Sequence, residues 1–183
     1  MARRIAYIGD PVLTLDQVAY QCRLDPEDVV PELIEGVIIP GVTGQAESRT
    51  GAAIRQAEYE EEWPEHYPTG HALDVGQATA IVSVERILAD GSLELLMGAF
   101  NLRNRGRESF LYFPDGRPPG VLLIRYQAGI DLDAHPAVRS WLLMQAGTAH
   151  EFRETLISGT ILAELPGSML DSLLAEITVP PRF

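Results

Sequence analysis

The 183-residue sequence contains no lysine, a single cysteine and no long apolar run. Cys22 has no second cysteine to pair with, so an internal disulfide is excluded and an inert thiol is favoured over a nucleophile. Because no run of 18 or more apolar residues occurs, no transmembrane helix is predicted. The Arg-containing start also lacks the apolar stretch of a signal peptide. We therefore expect a soluble protein that is made in the cytoplasm and does not enter a membrane.

Positive charge is scarce, since 14 arginines face 26 acidic residues and the net charge is −12. Phosphate binding depends on cationic neutralisation and counterion release, so tight wrapping around nucleic acid is not expected. The absence of lysine reflects either nucleotide composition or the use of arginine for bidentate contacts at interfaces. One basic cluster, Arg103, Arg105 and Arg107, surrounds Gly106, and contact with solvent or another subunit is favoured there over DNA.

Signatures of catalysis, metal binding and nucleotide binding are missing. The histidines have no cysteine cluster beside them and no metal-ligand spacing; they are His66, His71, His135 and His150. Residues 41–44 lack the lysine of a phosphate-binding loop, and Gly-x-Ser-x-Gly is absent. The carboxylates from Glu58 to Glu65 are interpreted as a solvated loop or strand edge. We predict no catalytic residue, no cofactor and no metal site.

Two helices are predicted near the start of the chain. Thr14 is a capping residue for a helix over residues 14–23, and Asp25-Pro26 begins a second helix at about residue 26. Gly36, Pro40 and the glycines that follow predict a kink or an early stop near Ile39.

From Gly51 onward the pattern changes to short apolar segments, which predict strands. The predicted ranges are 53–59, 79–88, 93–97, 109–113 and 121–127. Asp90-Gly91 lies between the second and third ranges and accepts the positive φ of a tight hairpin turn.

A long apolar helix is predicted over residues 136–157, with Pro136 near its first position. One stripe recurs at three- and four-residue steps: Val138, Trp141, Leu142, Gln145, Ala149, Phe152 and Leu156. Leu143, Met144 and Ala146 add apolar surface outside this stripe, so the surplus is buried either in the protein's own core or against another subunit. A short final helix and an extended Pro-Pro tail follow; the tail is either a plug for a neighbour's pocket or a frayed terminus.

These elements predict an α+β fold in which an antiparallel β module is inserted into a small helical bundle. The bundle consists of the N-terminal helices, the long C-terminal helix and the short final helix. The predicted boundaries are 1–50 for the N-terminal helices, 51–129 for the β-rich insertion, 130–177 for the C-terminal helices and 178–183 for the tail.

The order of several short motifs resembles the head-tail connector, or adaptor, proteins of long-tailed double-stranded DNA phages and prophages. The matching pieces are Leu13-Thr14-Leu15-Asp16-Gln17-Val18, Glu47-Ser48-Arg49-Thr50-Gly51, the Asp90-Gly91 hairpin, the strand ending in Tyr126-Gln127-Ala128-Gly129, Pro136, Arg153-Glu154 and Leu165-Pro166. The chain departs from the family at His150 and Phe152, where an aromatic residue and an asparagine are frequent. It departs again at Pro40 and Gly41, where the family's helix is usually Ala-rich.

The resemblance implies a structural virion protein of the neck, made in the host cytoplasm. Such a protein forms a ring, usually of twelve copies, that docks under the portal, continues the DNA channel without specific DNA binding and supports the next neck or tail-completion protein. We expect portal binding by the tail, Val179, Pro180, Pro181, Arg182 and Phe183. We expect the long helix to form the inter-subunit wall through Trp141, Leu143, Met144, His150, Arg153 and Glu154. The alternatives are another phage neck protein, such as a head-closure or tail-completion factor, and a small enzyme or regulatory binding domain.

Overall fold

A computed structural model describes residues 1–152 and 167–180. The chain divides into a β-rich unit, made of residues 1–10, 51–130 and 177–183, and a helical unit, made of residues 11–50 and 131–176. The α+β class is confirmed. The first ten residues belong to the β-rich unit, whereas the sequence predicts that residues 1–50 belong with the helices.

The β-rich unit contains two antiparallel sheets. The strands are β1 (Arg3–Tyr7), β2 (Ala57–Trp63), β3 (His71–Ala72), β4 (Ala78–Ile87), β5 (Leu93–Leu95), β6 (Asn101–Arg105), β7 (Glu108–Tyr112) and β8 (Val121–Ala128). The larger sheet has the order β1-β2-β8-β4-β5, and the smaller sheet has the order β3-β7-β6. The Asp90-Gly91 turn between β4 and β5 is confirmed, with Gly91 at φ 81° and the Asp90 carboxylate accepting a hydrogen bond from the Ser92 N–H at 2.9 Å.

Alternation along β8 explains how the larger sheet forms one face of a core. Leu122, Ile124, Tyr126 and Ala128 are buried, while Arg125 and Gln127 lie on the opposite face. Successive side chains of a strand point to opposite faces, so this period of two places every second residue in the core.

Three of the eight described strands are absent from the sequence prediction: β1, β3 and β6. β1 begins with Arg3 and Arg4 and has no apolar alternation, so it becomes a strand only by pairing with β2. β2 itself starts at Ala57 rather than residue 53, because the buried Ala53 and Ile54 lie in an irregular segment before it. Apolar character alone does not separate a buried loop from a buried strand.

The helical unit contains α1 (Leu15–Cys22), α2 (Pro31–Leu33), α3 (Ile39–Thr50), α4 (Pro136–Glu151) and α5 (Gly167–Leu174). The predicted cap of α1 is confirmed: the Thr14 hydroxyl accepts from the Gln17 N–H at 3.2 Å, and the Gln17 side chain accepts from the Thr14 N–H at 2.9 Å. α4 begins at Pro136 as predicted. α4 ends at Glu151, with Phe152 as a non-helical C-cap, whereas the sequence predicts a helix to residue 157. Residues 153–157 lie outside the described residues.

The sequence predicts a kink or an early stop near Ile39. The early stop is wrong, because helical structure continues to Thr50, and the irregularity at this point is a π-helical turn at Ile34–Ile38. The Ile39 N–H bonds to the Ile34 carbonyl, five residues back. Pro40 therefore lies at the start of a new α-helical segment, where its missing N–H disrupts the hydrogen-bond ladder least.

A buried carboxylate ties the segment before β4 to the larger sheet. Glu61 is 1% exposed and lies on the core face of β2. Its Oε1 accepts from Trp63 Nε1 at 2.8 Å, and its Oε2 accepts from the Asp74 N–H at 2.9 Å and the Tyr126 hydroxyl at 3.1 Å. The Tyr126 hydroxyl in turn accepts from the Val75 N–H at 3.3 Å. The interpretation of this acidic run as a solvated edge is therefore wrong for Glu61, because β2 is paired on both sides.

Burial raises the pKa of Glu61, and the nearby Asp74 carboxylate adds to the rise, while the hydrogen bonds it accepts oppose it. The folded chain therefore holds this proton more tightly than the unfolded chain. The stabilisation that follows is fully present below the ordinary Glu pKa of 4.5 and is lost as pH rises through the higher folded pKa.

We expect Glu61→Gln to remove this contribution to the pH dependence of stability, because the amide cannot ionise. The stability of the wild type relative to Glu61→Gln should be greatest below about pH 4.5 and should fall as pH rises towards neutral. Urea unfolding followed by circular dichroism between pH 4 and 8 measures this difference. Glu62→Gln, at an exposed position on the same strand, is the control and should follow the wild type. A stability difference that stays constant or grows with pH would contradict the assignment.

Candidate assembly surfaces

The predicted inter-subunit residues on α4 fall into two groups. Trp141 is fully buried inside the helical unit, with the Arg49 guanidinium 6.0 Å from its ring centroid. Leu143, Met144 and His150 are only half-buried. Trp141 therefore packs within its own unit, and Leu143, Met144 and His150 are the members of the set whose side chains reach the surface. Arg153 and Glu154 lie outside the described residues.

An open apolar groove of about 500 Å³ runs between the helices of the same unit. Val37 lines it and is 61% exposed, and Gln145, Ala149 and Phe152 of the predicted α4 stripe line its other side. The buried core beneath it takes Val138, Trp141, Leu142 and Ala146 from α4. α4 therefore has one buried side and one open side, but the division differs from the predicted one. Ala146, predicted outside the stripe, is in the core, whereas Gln145, Ala149 and Phe152 of the stripe line the groove.

Ile177, the last residue of the predicted C-terminal helices, and the first residues of the predicted tail pack on the β-rich unit. Ile177 is fully buried, and the carbonyl of Thr178 accepts a hydrogen bond from the Arg107 guanidinium at 3.4 Å. Val179 packs over two glycines, because a Cβ built on Gly51 would lie 3.4 Å from Val179 Cβ and one on Gly76 would lie 2.8 Å from Val179 Cγ2. Pro180 is exposed, and Pro181, Arg182 and Phe183 lie outside the described residues. Val179, one of the five predicted portal-binding residues, therefore holds the end of the chain to the β-rich unit.

Gly76 carries a further constraint that the sequence does not reveal. A Cβ at this position would also lie 2.3 Å from the carbonyl oxygen of Arg107, which is backbone and cannot rotate away. The absent side chain thus lets the segment before β4, the β6–β7 turn and Val179 approach one another. Only the close approach of distant chain segments makes this glycine necessary, so no local sequence signal identifies it.

The solvent-facing side of the larger sheet carries a row of alternating charges across four strands. The Arg3 guanidinium donates to Glu60 Oε1 at 2.8 Å, Arg125 Nε lies 3.8 Å from Glu60 Oε2, and Arg125 Nη1 donates to Glu85 Oε1 at 3.2 Å. Each ion pair is partly exposed, so each contributes little alone. Together they fix the register of β1, β2, β8 and β4 on this face.

Exposed apolar side chains are concentrated at the β5 edge of the same sheet. Leu93 is 45% exposed, Leu95 57% and Met97 93%, and Val121 of β8 lies on the same face as the two leucines. The opposite edge, β1, exposes Ile5 at 44%, and Ile8 follows it at 45%. β5 is short and carries the charged Glu94, which are features that protect a natural sheet edge, but its two exposed leucines make this edge a candidate interaction surface.

The three arginines of the basic cluster lie in the β6–β7 hairpin, Arg103 and Arg105 on β6 and Arg107 in the turn. The Arg103 guanidinium lies 4.8 Å from the Tyr112 ring centroid, and Arg107 reaches the Thr178 carbonyl. Arg105 is exposed at the end of β6. Two of the three arginines therefore make contacts within the β-rich unit.

Across residues 1–152 and 167–180, no group of three or more histidine, cysteine or acidic side chains is placed to hold a metal ion. No helix in the same described ranges is long and apolar enough to span a membrane.

No protein-family model matches the chain, and no curated protein matches it. Solved structures that share its fold include a chain from the virion of a native gene transfer agent (GTA) particle, with a TM-score of 0.76 at 12% identity. A chain from the neck of an empty GTA particle computed with C6 symmetry has a TM-score of 0.76 at 11% identity. A chain from the neck of a native GTA particle computed with C12 symmetry has a TM-score of 0.68 at 12% identity. Each match covers 100% of this chain and 97% of the other, so the whole fold is shared.

We expect Gly76→Ala to destabilise the β-rich unit, because the added methyl group meets a backbone carbonyl and Val179 at once. Overpacking of this kind typically costs about 1–3 kcal/mol. Thermal unfolding measures the loss. Gly98→Ala is the matched control, since a Cβ at Gly98 meets nothing within 4 Å, and it should leave the transition unchanged. Equal stability of the two variants would show that Val179 and Arg107 do not pack on Gly76 as described.

Proposed function

We propose that this chain is a structural subunit of the neck of a phage or phage-like particle. The observation that carries the proposal is the likeness over the entire chain to proteins from GTA neck and virion structures, at TM-scores up to 0.76. A likeness that covers both chains almost completely favours the same structural role over a shared module within unrelated proteins.

Within the neck, the chain acts as the adaptor that docks under the portal as a ring of twelve copies. Two observations support this position: the order of sequence motifs resembles the connector family, and one of the similar neck structures was computed with C12 symmetry. The adaptor ring provides the platform for the next neck or tail-completion protein. The function is structural, and no catalytic step is assigned to any residue.

The helical unit contributes to the wall between neighbouring copies. Leu143, Met144 and His150 reach the surface of α4, and the apolar groove lined by Val37 and Phe152 lies on the same unit. Apolar surface left open in one copy is buried when copies assemble, which favours the ring over the separated chain.

The ring continues the DNA channel without reading the sequence of the DNA. A net charge of −12 gives the ring an overall repulsion for the DNA phosphates, so the polymer passes without adhering to the wall. Specific DNA binding would instead need a cationic surface matched to the phosphates.

Electron microscopy of the purified chain mixed with the portal of the same particle tests this function directly. We expect a ring stacked on the exit face of the portal. A ring that binds only the free end of a portal–adaptor complex would identify a head-closure factor instead. A chain that binds neither the portal nor this complex would overturn the adaptor role.

The portal-binding segment begins at Pro180, because the chain up to Val179 is anchored in its own unit. We expect truncation after Val179, which removes Pro180, Pro181, Arg182 and Phe183, to abolish portal binding and leave thermal unfolding unchanged. Pull-down on portal rings measures binding. Full-length Arg105→Ala, which changes an exposed arginine elsewhere, is the control and should bind normally. Normal binding by the truncated chain would exclude the tail as the docking element.

A further inference from the structure

The two edges of the larger sheet differ in charge and are both exposed and apolar. Residues 3–8, which form and follow β1, contain two arginines and no acid. Residues 88–97, which end β4 and include β5, contain two acids, Asp90 and Glu94, and no base. Each segment also exposes large apolar side chains, Ile5 and Ile8 in the first and Leu93, Leu95 and Met97 in the second.

These two segments cannot contact each other within one copy. β2, β8 and β4 separate β1 from β5 in the sheet. Four strand spacings of about 4.8 Å place the two edges roughly 19 Å apart. Complementary surfaces on opposite sides of one chain match the geometry of a head-to-tail contact between copies, which closes into a ring when the rotation between copies allows it.

We propose that the β5 edge of one copy docks against the β1 edge of the next copy. Leu93, Leu95 and Met97 pack against Ile5 and Ile8, and the acidic Asp90 and Glu94 approach the basic Arg3 and Arg4. This contact rests on the proposed function, since it assigns the partner surface within the ring.

The contact is made by side chains rather than by a continuous backbone ladder. β1 has an irregularity between Arg4 and Ala6, where Ile5 is an extra residue without a partner in β2. Such a bulge disrupts regular pairing along a strand edge and re-aims a side chain. The register also places the two charges on the same face of the sheet. Arg4 lies opposite the buried Tyr59 of β2. Glu94 lies opposite Arg86, which in turn lies opposite the buried Leu122, so both charges are on the core-facing side.

A second copy explains both edges, whereas a different protein on β5 would leave Ile5 and Ile8 exposed. The existing ion pairs remain in place. Arg3 stays paired with Glu60, and Glu94 stays paired with Arg86 at 3.2 Å. A contact between these two ion pairs of neighbouring copies therefore extends a network of alternating charges and leaves no charge without a counter-charge.

Disulfide trapping tests the contact in the full-length chain. In a Cys22→Ser background, Ile5→Cys and Leu95→Cys are combined, and the chain is oxidised both alone and with portal rings. We expect a ladder of covalent multimers, because each copy links to two neighbours, while either single variant gives dimers at most. Ile5→Cys combined with Tyr20→Cys is the control pair, since Tyr20 is 88% exposed on α1.

The outcomes separate this contact from the proposed function. One outcome is that electron microscopy shows rings but the Ile5→Cys/Leu95→Cys chain forms no more covalent multimers than the control pair. This outcome would overturn the edge contact and leave the neck function standing. No ring and no ladder, with or without the portal, would overturn both.

A charge exchange gives an independent readout. Arg4→Glu and Glu94→Arg should each reduce the fraction of chain found in rings, and the double variant should restore it because every interface then carries the exchanged pair. Thermal unfolding of each variant confirms that the separated chain is folded. Failure of the double variant to recover any assembly lost by the single variants would contradict the proposed pairing.

Discussion

The double pairing of β8 is the constraint on which the β-rich unit depends. β8 pairs with β2 along residues 57–63 and with β4 along residues 78–87, so it lies in the middle of the larger sheet. One face of β8 supplies Leu122, Ile124 and Tyr126 to the core, and the other places Arg125 between Glu60 and Glu85. A change of register by one residue would exchange these faces and bury Arg125, so the burial pattern and the charges specify the same pairing.

Local signals explain which elements the sequence predicts well. The Thr14 cap, the Asp90-Gly91 turn and the start of α4 at Pro136 each depend on residues within one turn of the chain, and β8 is predicted to within one residue. β1 and the buried position of Glu61 depend on partners that are distant in sequence. The helix continues past Pro40 because a π turn precedes it and places Pro40, which has no N–H, at the start of a new α-helical segment. No residue pattern in the sequence predicts this π turn.

The assembly surfaces also combine features that the sequence predicts with features that depend on the tertiary fold. The apolar excess of α4 is visible in the sequence, but the choice between Trp141 as core and Leu143 or Met144 as surface depends on how α4 packs against α1, α3 and α5. The sequence predicts β5 as a strand, but the exposure of β5 follows from its place at the end of the strand order, which only the tertiary fold reveals.

The packing of Val179 between Gly51 and Gly76 has a mechanical consequence for the end of the chain. Tension applied beyond Pro180 reaches Ile177 and Val179 first, and these residues are held by the β-rich unit. A pull on the terminus therefore acts on the packing of Val179 against Gly51 and Gly76 before it acts on α5. The end of the chain is in this way coupled mechanically to the core of the β-rich unit.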